Sequence, residues 1–241
     1  MNILEINNYT KDYGKGIKAC DDVSLTVESG DIFGFIGHNG AGKSTTIRAV
    51  VGVMDFESGT IKIDGHDVKA EPLECKKVTA YIPDNPDLYE NLTGLQFLNF
   101  VADAFDVSED DRRQRINDYA NRFEIADALT DTISSYSHGM KQKVAIIGAL
   151  IHEPKLFVMD EPFVGLDPKA AFTVKEIMHE MCQRGSAVFF STHVLEVAEK
   201  LCNKIAIIKK GKIIANGTME ELLGGKESLE EVFLEAIKDE Q

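Results

Sequence analysis

The sequence predicts an α/β fold: a mainly parallel sheet flanked by helices, with an N-terminal antiparallel β sub-domain and an inserted helical sub-domain. Three observations carry this expectation. Residues 32–51 read as a strand, a glycine loop and a helix start. Lys155-Leu156-Phe157-Val158-Met159-Asp160 is an apolar strand ending in acid, with Glu161 next. From there strands alternate with helices, a pattern that demands parallel strands covered on both faces.

Taken in order, residues 1–30 read as short strands with turns. Ile3, Leu4 and Ile6 precede Asn7-Asn8, and Val23, Leu25 and Val27 alternate with Ser24, Thr26 and Glu28. Residues 28–31 are a turn, and Ile32 to Ile36 is the first core strand. Helix-compatible residues run from Thr45 to Val51. Ser58 to Gly65 is a strand closed by Asp-Gly, expected to pair with the N-terminal strands in an antiparallel sheet. Val78 to Ile82 is β-rich and ends at Pro83-Asp84-Asn85-Pro86, where two prolines impose a loop.

The texture then becomes helical. A helix starts at Thr93-Gly94-Leu95-Gln96 and runs through Phe105. Ser108-Glu109-Asp110-Asp111 has the acids of a helix N-terminus, and Ile116, Tyr119, Ala120 and Phe123 follow at helical spacing. Ser137 is a good N-cap for a helix from Met140 to Leu150. After the strand at 155–160, Asp167-Pro168 opens a helix to about Gln183, which Gly185 stops. Ala187 to Ser191 is a buried strand and Val194 to Leu201 a helix. Ile205–Ile208 and Lys212–Ala215 flank Lys210-Gly211 as a hairpin, and Ser228 to Leu234 is a short amphipathic tail helix with a capping-box pattern. The expected organisation is one domain over 1–241. Its α/β core with the antiparallel part is 1–87 and 151–220, its helical sub-domain 88–150, and its helical tail 221–241. No internal repeat interrupts it.

With 241 residues the chain can bury a full core without disulfides or metal. Its 40 acidic against 26 basic residues, net −14, argue against broad nucleic-acid binding, so no nucleic-acid partner is expected. The four scattered cysteines form no C-x-x-C and read as buried thiols of a reducing compartment. Residues 1–6 lack a signal-peptide pattern, and no run of about 18 apolar residues occurs, so a soluble, cytoplasmic chain is expected.

The chemistry starts at Gly37-His38-Asn39-Gly40-Ala41-Gly42-Lys43-Ser44-Thr45, a gapless match to G-x-x-x-x-G-K-[ST] in the strand–loop–helix context that the motif requires. Its glycines let backbone N–H groups turn inward around a phosphate chain, and the new helix points its positive end at the same anion. Lys43 reaches the β- and γ-phosphates and the Ser44 hydroxyl ligates Mg²⁺. The expected core is therefore that of a P-loop NTPase. Asp160 stands where such proteins hold Mg²⁺ through water, the Walker-B position, and Glu161 is placed to orient and deprotonate the attacking water. Ser137 and Gly139, at a helix start with small residues, admit a second anion, although capping alone also explains them.

The order of these motifs resembles the ATPase domain of the ATP-binding cassette (ABC) family over nearly the whole chain. Tyr136-Ser137-His138-Gly139-Met140 stands at its Leu-Ser-Gly-Gly-Gln signature, with His138 and Met140 departing from it. Gly165-Leu166-Asp167-Pro168 matches the D-loop, placing Asp167 there, and His193 matches the switch histidine. Tyr13 matches the adenine-stacking aromatic, favouring ATP. Asp84 occupies the place of a glutamine that touches Mg²⁺ and water. Its carboxylate can ligate Mg²⁺, making Asp84 an expected metal contact, but when ionised it cannot donate a hydrogen bond there. The resemblance implies two such subunits stacked head to tail, the partner's Ser137 and Gly139 closing over the γ-phosphate. It also implies separate membrane-spanning subunits, docked near residues 83–91 at the inner face of the membrane. The signature variant, the acidic loop and the tail look similar to bacterial export-type cassettes. Soluble cassette ATPases of DNA repair or translation are the rival class. Residues 46–135 hold no heptad run of the kind repair types insert. One cassette in an acidic chain is expected, unlike the paired cassettes and basic linker of ribosome-acting types. A nucleotide-dependent regulator without turnover is a third class, against which Glu161 argues.

Overall fold

The structure is a computed structural model that describes residues 1–14 and 18–238. The last three positions of the expected 221–241 tail lie outside the described residues. Two sheets form the frame. In the first, β1 (Asn2–Asp12), β2 (Lys18–Glu28), β4 (Ser58–Ile63) and β5 (His66–Asp67) are ordered β2-β1-β4-β5 and pair antiparallel. In the second, β3 (Ile32–Ile36), β6 (Thr79–Ile82), β7 (Leu156–Asp160), β8 (Ala187–Thr192), β9 (Lys204–Lys209) and β10 (Lys212–Thr218) are ordered β10-β9-β3-β8-β7-β6. Its strands are parallel except β10, which returns antiparallel through the Lys210-Gly211 turn.

Every residue of β3, β7 and β8 is buried, and successive side chains go to opposite faces. Ile32, Ile36, Phe157, Met159, Val188 and Phe190 pack with the helical layers. Their neighbours Phe33, Phe35, Val158 and Phe189 pack with α1 (Lys43–Val50) and the antiparallel sheet. The continuous apolar runs are thus strands of a sheet covered on both sides, as expected.

The helices α3 (Gly94–Ala104), α4 (Glu109–Arg122), α5 (His138–Leu150) and α6 (Pro168–Gln183) form where their caps predict, and α7 (Leu195–Leu201) forms within the expected segment without a side-chain cap. Thr93 and Gln96 close a capping box on α3. Ser108, Ser137 and Asp167 accept from the N–H groups of Asp111, Met140 and Ala170. The first segment differs from expectation. β1 does not turn at Asn7-Asn8 but runs on for 11 residues. Asn8 takes φ 50 and the register with β2 shifts between Ile6 and Tyr9, so the polar pair is absorbed as a bulge. Two short helices were not expected. In α2 (Pro72–Lys77) proline occupies the first turn, and α8 (Met219–Leu223) has a Thr218/Glu221 capping box. α9 (Leu229–Lys238) follows, and the N–H of Leu229 donates to Glu199 of α7 at 2.8 Å.

A groove of about 400 Å³ opens between the loop after β6 and helices α3 and α5, lined by Tyr81, Pro86, Leu88, Phe97, Phe105 and His152 among others. His152 stacks on Phe105 with ring centroids 3.7 Å apart, and both its nitrogens are enclosed without a hydrogen-bond partner. Burial pushes the His152 pKa from 6.5 down to about 4, although the nearby Thr79 backbone acts the other way. Between these values the unfolded chain binds the proton that the folded chain refuses, so stability rises with pH. Acidification from pH 7 to pH 4 should therefore remove about 2–3 kcal/mol through this residue. Urea titrations should show a shallower acid loss in His152→Phe; an identical pH profile would refute the assignment.

Candidate nucleotide site

The site lies at the C-terminal ends of β3, β8 and β7, which are neighbours in the sheet. Ile36 pairs with Thr192, and Asp160 pairs with Ser191. This register brings the glycine loop, Asp160-Glu161 and His193 to one edge, the place where ligands of open α/β sheets bind. Segments more than a hundred residues apart in the chain thus meet through hydrogen-bond pairing.

The loop is wedged tightly on its inner side. A Cβ on Gly37 would stand 2.5 Å from the Ile208 carbonyl oxygen, and one on Gly42, at φ 113, would stand 2.6 Å from that of Ala19. The Gly211 N–H donates to the Ala41 carbonyl at 2.9 Å. Asn39 and Gly40 lie exposed with His38, while Ala41, Gly42 and Lys43 are buried and Ser44 and Thr45 half-buried. α1 begins at Lys43, two residues earlier than the helical pattern suggested, so the first free N–H groups of that helix belong to the loop itself.

Lys43 Nζ donates to the Gly37 carbonyl at 2.7 Å and lies 3.6 Å from Glu161 Oε1. The same Glu161 oxygen bonds His193 Nδ1 at 2.9 Å. Glu161 stands at φ 49, a left-handed conformation that costs a residue with a Cβ. Its N–H is held at 3.2 Å by both the carbonyl and the hydroxyl of Ser191. The Ser191 hydroxyl also donates to Asp160, whose carboxylate is buried. Ser191 is the functional residue that the sequence did not single out, for only the β7–β8 register gives it a role.

Asp84 sits exposed, accepting from the Asn85 N–H at 2.9 Å. The half-buried Tyr81 hydroxyl is pushed up by burial first, then by the charges of Asp160 and Asp84, with Arg48 acting the other way. Tyr13 presents a largely exposed ring, and its hydroxyl lies 3.4 Å from Thr45 Oγ1 and 3.2 Å from Met54 Sδ. The Tyr13 hydroxyl therefore lies beside the first turn of α1. Ser137 and Gly139 make their contacts elsewhere. Ser137 caps α5, Gly139 faces the Gly165 carbonyl, and His138 lies so close to Gly165 that a Cβ there would clash with the imidazole. Lys143 of α5 pairs with Asp167 at 3.0 Å, which ties the signature helix to the D-loop of the same chain. Tyr136, the signature's first position, is buried and donates to the Ala128 carbonyl at 2.6 Å.

The available donors suit Mg²⁺. Asp160, Asp84 and Ser44 offer hard oxygen ligands. Mg²⁺ takes one or two carboxylates plus substrate phosphates and keeps several waters, so oxygen donors of this kind fit it.

A phosphate loop, a buried strand-end acid and a pinned carboxylate on a parallel sheet define a nucleoside triphosphatase of the P-loop class. A model of the ABC transporter family matches residues 20–164. The chain is 37% identical to the ABC-type transporter ATP-binding protein EcsA of Bacillus subtilis, the alignment covering 100% of this chain and 98% of EcsA. It is 32% identical to the linearmycin resistance ATP-binding protein LnrL of the same organism, covering 98% of this chain and 79% of LnrL. A solved ATP-binding subunit of an ABC transporter superposes with a TM-score of 0.93 at 35% identity, covering 98% of this chain and 99% of that one. The chain belongs to the ABC transporter family, among its ATP-binding and ATP-hydrolysing subunits.

Proposed function

We propose that this chain energises the passage of a substrate through separate membrane-spanning subunits, outward across the membrane, by binding and hydrolysing ATP with Mg²⁺ between two cassettes stacked head to tail. The observation that carries the chemistry is Glu161, whose Oε1 is shared by His193 Nδ1 and Lys43 Nζ. Phosphates entering the loop compete with Glu161 for the Lys43 ammonium. The released carboxylate, still oriented by His193, accepts the proton of the attacking water. Asp160, Ser44 and Asp84 would hold Mg²⁺, which would supply charge neutralisation for the phosphates. Tyr13 stacks the adenine. The partner subunit's Ser137 and Gly139 cover the γ-phosphate, and Asp167 lines the same seam. ATP thus favours the closed pair through contacts made only there, and hydrolysis removes them. The outward direction rests on the likeness to the resistance protein LnrL and on the export-type signature.

Among the described residues no helix is long and apolar enough to cross a membrane. On this reading, docking on partner subunits at the cytoplasmic face transmits the closure. The surface for it is the groove and its exposed rim, where Tyr89 and Phe100 meet edge to face at 5.5 Å. Such an aromatic pair in water is an unfinished interface. Wild-type chain should sediment with washed membranes of its native cell, and Phe100→Asp with Tyr89→Asp should shift most of it to the supernatant at unchanged ATP affinity. Undiminished retention of that double variant would sink docking through this face.

A further inference from the structure

The phosphate loop is braced on its inner side by Ile208, Ala19 and Gly211. Its outer arc begins at His38, which is exposed. The tail helix α9 reaches that arc. The Phe233 ring meets the His38 imidazole edge to face, with centroids 5.0 Å apart and planes at 69°. α9 is anchored in turn on α7. The Leu229 N–H bonds Glu199 Oε2, and Leu229, Val232 and Phe233 are buried in the cluster that holds Ala198 and Leu201. α7 starts two residues after His193. One ten-residue helix therefore spans from the phosphate loop to the helix that follows the switch histidine.

We propose that Phe233 is a positioning residue for nucleotide binding, acting as a strut that holds His38, and with it the outer arc of the loop, against the α7 segment. This rests on reading the loop as the ATP site. The physical link is short. The His38 carbonyl lies 3.4 Å from Lys43 Nζ, so a shift of residue 38 moves an acceptor of the ammonium and the turn that aims the N–H groups of Asn39 and Gly40. With the arc held before ATP arrives, less ordering is left for binding to accomplish. An edge-to-face aromatic pair of this kind contributes about 0.5–1.5 kcal/mol, equivalent to roughly two- to twelvefold in affinity.

The test is equilibrium titration of the full chain with ATP and Mg²⁺. Phe233→Leu retains apolar bulk against α7 but lacks the ring, and His38→Ala removes the other partner at an exposed position. Each should weaken ATP binding about three- to tenfold, the double variant should lose no more than either alone, and Phe233→Tyr should bind as wild type does. Leu234→Ala, half-exposed on the same helix, should change nothing. Unaltered affinity in Phe233→Leu and His38→Ala, or losses that multiply in the double variant, would overturn the strut. So would an equal loss in Leu234→Ala, since it would mark a general effect of the tail. A wild-type chain that binds no ATP would instead bring down the reading of the site itself.

Discussion

Glu161→Gln should abolish most hydrolysis while leaving ATP bound, and the variant should accumulate as an ATP-loaded dimer. Glutamine keeps the length and one oxygen for the His193 bond of 2.9 Å, but it cannot take a proton from water. A positioned base contributes about 10²–10⁴-fold in rate, and a loss of that size is expected in single-turnover measurements. Removing the carboxylate also removes the charge 3.6 Å from Lys43, so the ammonium is freer to turn to phosphate and affinity should hold or rise. Size-exclusion chromatography with ATP and Mg²⁺ reads the dimer. A Glu161→Gln chain that stays monomeric under those conditions would refute the head-to-tail sandwich, and one that hydrolyses at the wild-type rate would remove Glu161 from the chemistry.

Lys43→Ala should weaken ATP binding by about one to two orders of magnitude, the equivalent of a charged hydrogen bond. The side chain is 6% exposed and bonds Gly37, so its melting temperature must be measured beside its affinity. The expected pattern is a folded chain with poor binding. Affinity equal to wild type would show that Lys43 does not reach the phosphates.

Much of the site was legible because its parts are local. The loop declares itself in nine consecutive residues, Asp160 and Glu161 end one apolar strand, and the caps of α3, α5 and α6 are written in Thr93, Ser137 and Asp167. Each of these reflects backbone chemistry that acts within a few positions. The misses are of another kind. Asn7-Asn8 looked like a turn because asparagine favours one, but pairing on both sides of β1 held the strand through it as a bulge. α8 had a readable capping box at Thr218/Glu221, and its small size concealed it.

The class of chemistry, the phosphate loop and the acid pair were determined by the sequence itself, because strand, turn and helix propensities and the choice of side chain act at short range. Only the tertiary structure decided which distant groups share an oxygen. His193 and Lys43 meet at Glu161, and Ser191 holds Asp160, because β8 pairs between β3 and β7 in a particular register. Phe233 reaches His38 because α9 folds back on α7. Such contacts depend on hydrogen-bond pairing and burial between segments far apart along the chain, which no local preference encodes.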